Sequence, residues 1–469
     1  MNYELMEHQE TGVRFLTDKH HGLLAFEQGL GKTLVAIDAF SRLLQDGKAN
    51  RMVVICPNSL KRNWVSELEK FAPHMSSEIV EGTPQARRRR MIDSRARILI
   101  ASYETARAEV VGLKSILQRQ SCVLVLDESH ATKNWASLTS KSAREIAPFA
   151  KYRWLLSGTP VTNHASDLYT QFEVLSPDNN PLGSAEAFLA VMESDPSGSS
   201  FREEIDSMVF RRTKEECLDL PDKTFADIYV DLPPWQRKLY DDMKHEMVCE
   251  LQAMSGEEYR TFASTALVQL TRLSQIASNP GLIFTESEND PAKFSMIEDV
   301  LSDLLSVPGR KVIIWCNYVR SIEQLLERLA THSPIALYGA IPGPERQELA
   351  KRFQEDPDTR VLIANPAAAG TGFTLTAANY TIYESLSWRY DHYAQSQDRN
   401  HRIGQDLPVT YMRLIAVDTI DEAIIRALDR KSGLAKSLLG DADVGSIISQ
   451  FTKEEMIDLL ANNTLPGEH

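Results

Sequence analysis

The sequence predicts an α/β fold built on two parallel sheets joined by a helix-rich segment. Three observations carry this. Short apolar runs of strand length alternate with helical patterns through the first 165 residues. A second series of such runs begins near residue 311. Between Ser166 and Ala292 the strand pattern gives way to helix formers such as Trp235–Met243 and Ala266–Leu273. Near-continuous apolar strands alternating with helices form parallel sheets covered on both faces. The 469 residues allow two or three domains, and 43% apolar with 25% charged residues is ordinary for a globular chain.

In the first series the runs are Leu23–Phe26, Met52–Pro57, Ile98–Tyr103, Cys122–Leu126 and Arg153–Ser157. The first leads into Glu27-Gln28-Gly29-Leu30-Gly31-Lys32-Thr33 and then a periodic segment, Leu34–Phe40. Strand, glycine loop, Lys-Thr and helix is the layout of a phosphate-binding loop for ATP. Gly29 and Gly31 let backbone N–H groups turn inward, and the helix N-terminus adds partial positive charge. Lys32 would reach the β/γ-phosphates and the Thr33 hydroxyl would hold Mg²⁺. The strict motif wants glycine where this chain has Phe26, so an ordinary Gly-rich turn is the other reading of these residues.

The fourth run ends in Asp127-Glu128-Ser129-His130, where α/β sheets bind ligands. Asp127 is placed to hold Mg²⁺ through water and Glu128 to polarise the attacking water; capping acids at a strand end are the bland alternative. Pro57-Asn58-Ser59, Ser102-Tyr103-Glu104-Thr105 and Ser157-Gly158-Thr159-Pro160 end the other runs. Each alone reads as a turn, but together they line the sheet edge that carries Lys32. Upstream, the Gln9 carboxamide can donate to and accept from an adenine edge, or be a surface group on an N-terminal helix.

The expected division is 1–165 for a first ATP-binding domain, 166–292 for a helical region, 293–435 for a second α/β domain and 436–469 for a tail. The second strand series is Lys311–Trp315, Ile335–Tyr338, Val361–Ala364, Tyr380–Tyr383 and Val409–Ile415. The helical pattern Met456–Leu460 reads as a tail packed on the domains.

The order of motifs resembles the SWI/SNF-type ATPases, a branch of the superfamily-2 helicases and translocases. The stretches that carry the resemblance are HQETGVRFL, EQGLGKT, DESHATKN, LLSGTPVTN, FRRTKEE, IIWCNY, AGTGFTLTAAN and QSQDRNHRIGQ. DRNHRIGQ, and Arg211-Arg212-Thr213-Lys214 followed by Leu220-Pro221-Asp222-Lys223, are specific to this branch. The resemblance implies two RecA-like lobes with ATP between them and helical insertions that grip duplex DNA. It also implies ATP-driven movement along one strand of that duplex without separating the strands.

By the same resemblance, Pro57, Ser102, Gly370, Thr371 and Trp388 are DNA contacts, and Ser157, Thr159 and Gln395 couple DNA to the ATP site. Trp388 stands where the family carries Trp-Asn-Pro, but here it is followed by Arg389 and Tyr390. The second strand series has no phosphate loop of its own, which suggests that its domain supplies groups in trans. Arg399 and Arg402 are the candidates, their spacing placing both on one face of a helix. An arginine finger neutralises charge developing on the γ-phosphate and is worth roughly 10³–10⁵ in rate. Arg402 is the favoured finger; read alone, the segment is a basic helix with a solvated face. Arg87-Arg88-Arg89-Arg90 reads as a solvated face or an auxiliary DNA contact.

A net charge of −14 argues against a basic body that coats nucleic acid, though not against a local basic cleft. No run approaches a membrane span, and Met1–Leu5 does not open a signal peptide. Cys56, Cys122, Cys217, Cys249 and Cys316 are widely spaced and read as reduced core residues. The expected setting is cytoplasmic for a bacterial or viral protein and nuclear for a eukaryotic one. The expected function is a DNA-stimulated ATPase acting on double-stranded or branched DNA, with single-stranded DNA as a further partner and ATP and Mg²⁺ as cofactors. A strand-separating DNA or RNA helicase and a non-enzymatic DNA-binding scaffold are the rival readings.

Overall fold

The structure is a computed structural model that describes all residues except 1–2, 120, 159–164, 195–198, 256–267, 285–288, 370–372, 438–451, 464 and 466–469. The chain divides between Asp219 and Leu220 into two compact units.

Unit 1 is built on seven strands: β1 (His21–Phe26), β2 (Arg51–Cys56), β3 (Ser77–Ile79), β4 (Ile98–Ser102), β5 (Cys122–Asp127), β6 (Tyr152–Leu156) and β7 (Val209–Arg212). Their order is β3-β4-β2-β5-β6-β1-β7, and every pairing is parallel. β1, β2, β4 and β5 are apolar and buried almost throughout, as a sheet covered on both faces requires. Alternate side chains feed two cores. Leu24, Phe26, Val54, Ile100, Val125 and Trp154 enter one, while Leu23, Val53, Leu99, Leu124 and Leu155 enter the other. The register pairs Cys56 with Ser102, Asp127 with Leu156 and Phe26 with Arg212, so the strands finish along one edge.

The helices of unit 1 that matter for this edge are α1 (Glu7–Lys19), α2 (Lys32–Gln45), α3 (Lys61–Phe71), α4 (Pro84–Asp93) and α5 (Tyr103–Ala108).

Unit 2 holds β8 (Lys223–Val230), β9 (Val312–Trp315), β10 (Ile335–Leu337), β11 (Val361–Ala364), β12 (Tyr380–Tyr383) and β13 (Val409–Ala416). Their order is β10-β11-β9-β12-β13-β8, again parallel throughout. Helix Lys453–Asn462 packs Met456, Leu459 and Leu460 into the same core as Met247 and Leu251 of helix Pro234–Ala253. Lys453 Nζ fixes this contact by donating to Met254 O at 2.6 Å.

Two expectations need correction. Segment 166–292 is not free of strands: β7 extends the first sheet beyond β1, and β8 extends the second beyond β13. Both are edge strands with half-exposed or exposed residues and charged side chains, so the apolar signature of a buried strand is missing. Helices on the two sides of Asp219 accordingly belong to different units. Among the cysteines, Cys56, Cys122 and Cys316 are buried, but Cys217 is half-buried and Cys249 is exposed; all five are free.

Candidate nucleotide and DNA sites

β1 delivers the chain into the glycine loop, and α2 carries it away. Gly29 and Gly31 adopt φ of 90° and 83°, the left-handed region that side chains disfavour. Gly31 is also closely packed, since a Cβ there would lie 2.5 Å from Gln9 Nε2. Lys32 and Thr33 form the first turn of α2, and Lys32 Nζ donates to Phe26 O at 2.8 Å. Phe26 therefore receives the lysine through its carbonyl, and its side chain is buried in the core.

Gln9 is buried on α1 rather than lying on the surface. Its Nε2 donates to Leu30 O at 3.2 Å and its Oε1 accepts from Met6 N at 3.0 Å. His8 Nε2 lies 3.1 Å from the same Leu30 carbonyl. The glutamine thus braces the glycine loop, and its carboxamide retains one N–H and one lone pair for a further partner.

β5 ends in Asp127, which is 5% exposed. Trp64 Nε1 donates to Asp127 Oδ2 at 2.8 Å, and Glu128 N donates to Oδ1 at 2.9 Å. Tyr103 Oη donates to the Asp127 carbonyl at 2.9 Å. Burial first, and then the neighbouring Glu128 charge, push the Asp127 carboxyl above its ordinary range; the Trp64 hydrogen bond and the Lys32 charge pull the other way. Glu128 itself is left-handed, at φ 50° and ψ 53°. For a residue with a Cβ this costs on the order of 1 kcal/mol and turns the side chain off the strand direction. His130 Nδ1 lies 3.3 Å from Glu128 Oε2.

Ser157, fully buried, follows β6, and its N–H donates to Leu24 O at 3.2 Å. A Cβ on the adjacent Gly158 would lie 3.5 Å from Lys32 Nζ, so this strand end abuts the glycine loop. Thr159 lies outside the described residues, as do Gly370 and Thr371.

Pro57 heads the 3-10 turn Asn58–Leu60, which runs directly into α3. Ser102 caps α5 by accepting from Thr105 N at 3.1 Å, and it is buried. In unit 2, Trp388 is 7% exposed and packs in the core, so its ring offers no open face. Gln395 is half-buried on helix Tyr390–Gln397.

Arg399 and Arg402 do not share a helix face. The helix ends at Gln397, and both arginines lie in the turns that follow. Asn400 is one reason: its side chain bonds Ala378 O, Thr381 Oγ1 and Tyr411 Oη. Gly404 at φ 93° turns the chain again. Even so, Arg399 Nη1 and Arg402 Nη1 approach one carbonyl, Phe373 O, at 3.4 and 3.5 Å.

The arginine run is engaged within unit 1. Arg87 and Arg88 donate to the buried Glu109 at 3.1 and 3.4 Å, Arg90 donates to Ile79 O at 3.0 Å, and Arg89 pairs with Asp93 at 3.4 Å. Sequence reasoning did not single out Trp64, and it named Tyr103 only within the turn that follows Ser102. A tryptophan on an amphipathic helix and a tyrosine after a strand both read as core, and only the fold brings them to Asp127.

Two family models match the chain. The SNF2-related domain matches residues 8–282, and the helicase conserved C-terminal domain matches residues 292–404. The chain is 29% identical to an uncharacterized ATP-dependent helicase of Mycoplasma genitalium, covering 97% of this chain and 44% of that protein. It is also 29% identical to the DNA annealing helicase and endonuclease ZRANB3 of Mus musculus, covering 93% of this chain and 41% of that one. The chain therefore spans less than half the length of these curated relatives. A solved structure, the Sulfolobus solfataricus SWI2/SNF2 ATPase core in complex with dsDNA, is 26% identical with 97% of each chain covered and a TM-score of 0.45. With more than half of its length matched by one family, the chain belongs to the SNF2-related domain family.

Proposed function

We propose that this protein is a DNA-stimulated ATPase that translocates on double-stranded DNA. The observation that carries the reading is the composition of one sheet edge. A left-handed glycine loop, Lys32, Thr33, Asp127, a left-handed Glu128 and Ser157 all lie at the carboxyl ends of parallel strands in unit 1.

In this reading the loop N–H groups and Lys32 hold the phosphates of ATP. Gln9, already seated on Leu30 O, turns its remaining hydrogen-bonding capacity to the adenine edge. Glu128 accepts a proton from the attacking water. Arg402 and Arg399, which approach Phe373 O in unit 2, are the proposed arginine fingers. Mg²⁺ fits the residues present: it takes hard oxygen ligands, usually one or two from the protein with the rest from phosphate and water. The Asp127 carboxylate and the Thr33 hydroxyl are such oxygens, and the described residues contain no cluster of His, Cys, Asp and Glu that would hold a metal without nucleotide. When bound, the ion would neutralise phosphate charge.

The turns headed by Pro57 and capped by Ser102 are the proposed DNA contacts of unit 1. Such contacts fall mainly on phosphates, so binding is salt-sensitive and tolerant of sequence. The relative whose name includes DNA annealing supports DNA over RNA as the substrate.

The experiment is a triplex-displacement assay on duplex DNA beside a strand-separation assay on forked DNA. ATP-dependent triplex displacement without strand separation is the expected result. Strand separation with no triplex displacement would replace the translocase with the helicase.

A further inference from the structure

Two turns at the carboxyl edge of unit 1 are the proposed duplex contacts, and each is followed at once by an element that grips Asp127. After Pro57, the 3-10 turn and α3 carry Trp64, whose indole N–H donates to Asp127 Oδ2 at 2.8 Å. After Ser102, the first residue of α5 is Tyr103, whose hydroxyl donates to the Asp127 carbonyl at 2.9 Å. Trp64 is fully buried and Tyr103 nearly so, and no solvent competes for either bond. With Glu128 N on Oδ1, the carboxylate is held at both oxygens and the main chain at its carbonyl.

We propose that Trp64 is a positioning residue that transmits duplex contact at the Pro57 turn to the carboxylate of Asp127, with Tyr103 acting from the Ser102 turn on the Asp127 main-chain carbonyl. This rests on the translocase reading above. The chemistry is direct. An indole has one N–H and no other polar atom, so its ring orientation sets where its hydrogen bond points. A strand phosphate seated at the start of α3 fixes that helix from one end. The helix fixes the indole, and the indole fixes Oδ2 of the carboxylate that would serve the nucleotide's metal. Hydrogen bonds to charged groups are the strong ones, which makes this link stiff enough to carry such a signal.

The bland account is that Trp64 merely satisfies a buried carboxylate. The two accounts differ in what DNA does. Trp64→Phe keeps an aromatic ring and removes the N–H; Tyr103→Phe removes a single hydroxyl and carries the test if the first variant does not fold. ATP hydrolysis would be measured with and without duplex DNA. Mn²⁺ binding in the presence of ADP would be read by electron paramagnetic resonance, and duplex affinity by fluorescence anisotropy.

For Trp64→Phe we expect the ratio of duplex-stimulated to DNA-free hydrolysis to fall about tenfold, the scale of one hydrogen bond to a charged group. Mn²⁺ binding should weaken several-fold while duplex affinity stays unchanged; Tyr103→Phe should move the same quantities less. Rates that fall by one common factor with and without DNA would overturn the proposal, as would an unchanged ratio. A lowered ratio with unaltered Mn²⁺ binding would also overturn it, because the signal would then bypass Asp127. A wild-type protein without duplex stimulation would instead refute the translocase reading.

Discussion

The carboxyl edges of the two sheets are built from the same kind of strand and end in opposite ways. In unit 1 the edge carries left-handed backbone at Gly29, Gly31 and Glu128. In unit 2, among the described residues, the corresponding groups are spent on one another. Asn317 N donates to Ser385 Oγ at 2.9 Å, and Asn317 Nδ2 donates to Ser385 O at 2.8 Å. Asn365 Nδ2 donates to Asn317 O at 2.8 Å. Lys293 Nζ donates to Glu384 O at 3.0 Å and pairs with Asp421 Oδ2 at 2.6 Å. The lesson is that a parallel sheet offers a site but does not make one. Left-handed backbone alone is not the difference, since Asp418, just past β13, also has positive φ, 53°; the difference is the glycine loop through which β1 feeds α2.

The sharpest way to break this comparison is to disarm the open edge. Glu128→Gln keeps size and hydrogen bonding but removes the base, and we expect ATP turnover to fall by about 10²–10⁴ while nucleotide binding persists. Single-turnover hydrolysis beside equilibrium binding would show it, and undiminished turnover would remove Glu128 from the role of base.

The self-tied edge should respond in stability instead. Lys293→Met leaves the Asp421 carboxylate, 7% exposed, buried without its cation, which should destabilise by about 3–5 kcal/mol in urea unfolding. Pairing it with Asp421→Leu should recover most of that loss. If the single variant were as stable as the wild type, the network would not be what holds that edge.

Gly31→Ala adds a clash with Gln9 to backbone strain and should cost about 1–3 kcal/mol together with at least tenfold in nucleotide affinity. Gly47→Ala is the matched control. It too has positive φ, 66°, but nothing lies within 4 Å of a Cβ there, so it should lose stability without losing nucleotide affinity.

The smallest expected effect is a change in pH dependence. Because the fold raises the Asp127 pKa, the native state binds more protons than the unfolded one between the two values. The burden of the buried charge is therefore fully present above that window and is relieved as pH falls through it. Asp127→Asn should flatten that pH dependence, seen in thermal midpoints across pH, while its amide nitrogen, which cannot accept from Trp64 or Glu128 N–H, offsets the relief of the buried charge by about 1–3 kcal/mol.

Much of the molecule was legible because its strands are buried on both faces and its glycine loop is local in sequence. Leu23–Phe26, Cys122–Leu126 and Val361–Ala364 could hardly be anything but strands. β7 and β8 hid because an edge strand with Arg211, Arg212 or an exposed Phe225 lacks that signature. Arg399 and Arg402 approach one carbonyl but do not lie on the helix that their spacing suggests. Spacing alone does not reveal that the Asn400 side chain is drawn to Thr381 and Tyr411. The Trp64–Asp127 bond joins residues 63 positions apart, a distance at which no local pattern speaks.

The central claim is tested most directly by steady-state ATP hydrolysis without nucleic acid and with duplex, forked or single-stranded DNA or RNA. The account predicts slow turnover alone and strong acceleration by duplex. Equal turnover with and without DNA, or acceleration by single strands or RNA alone, would contradict it.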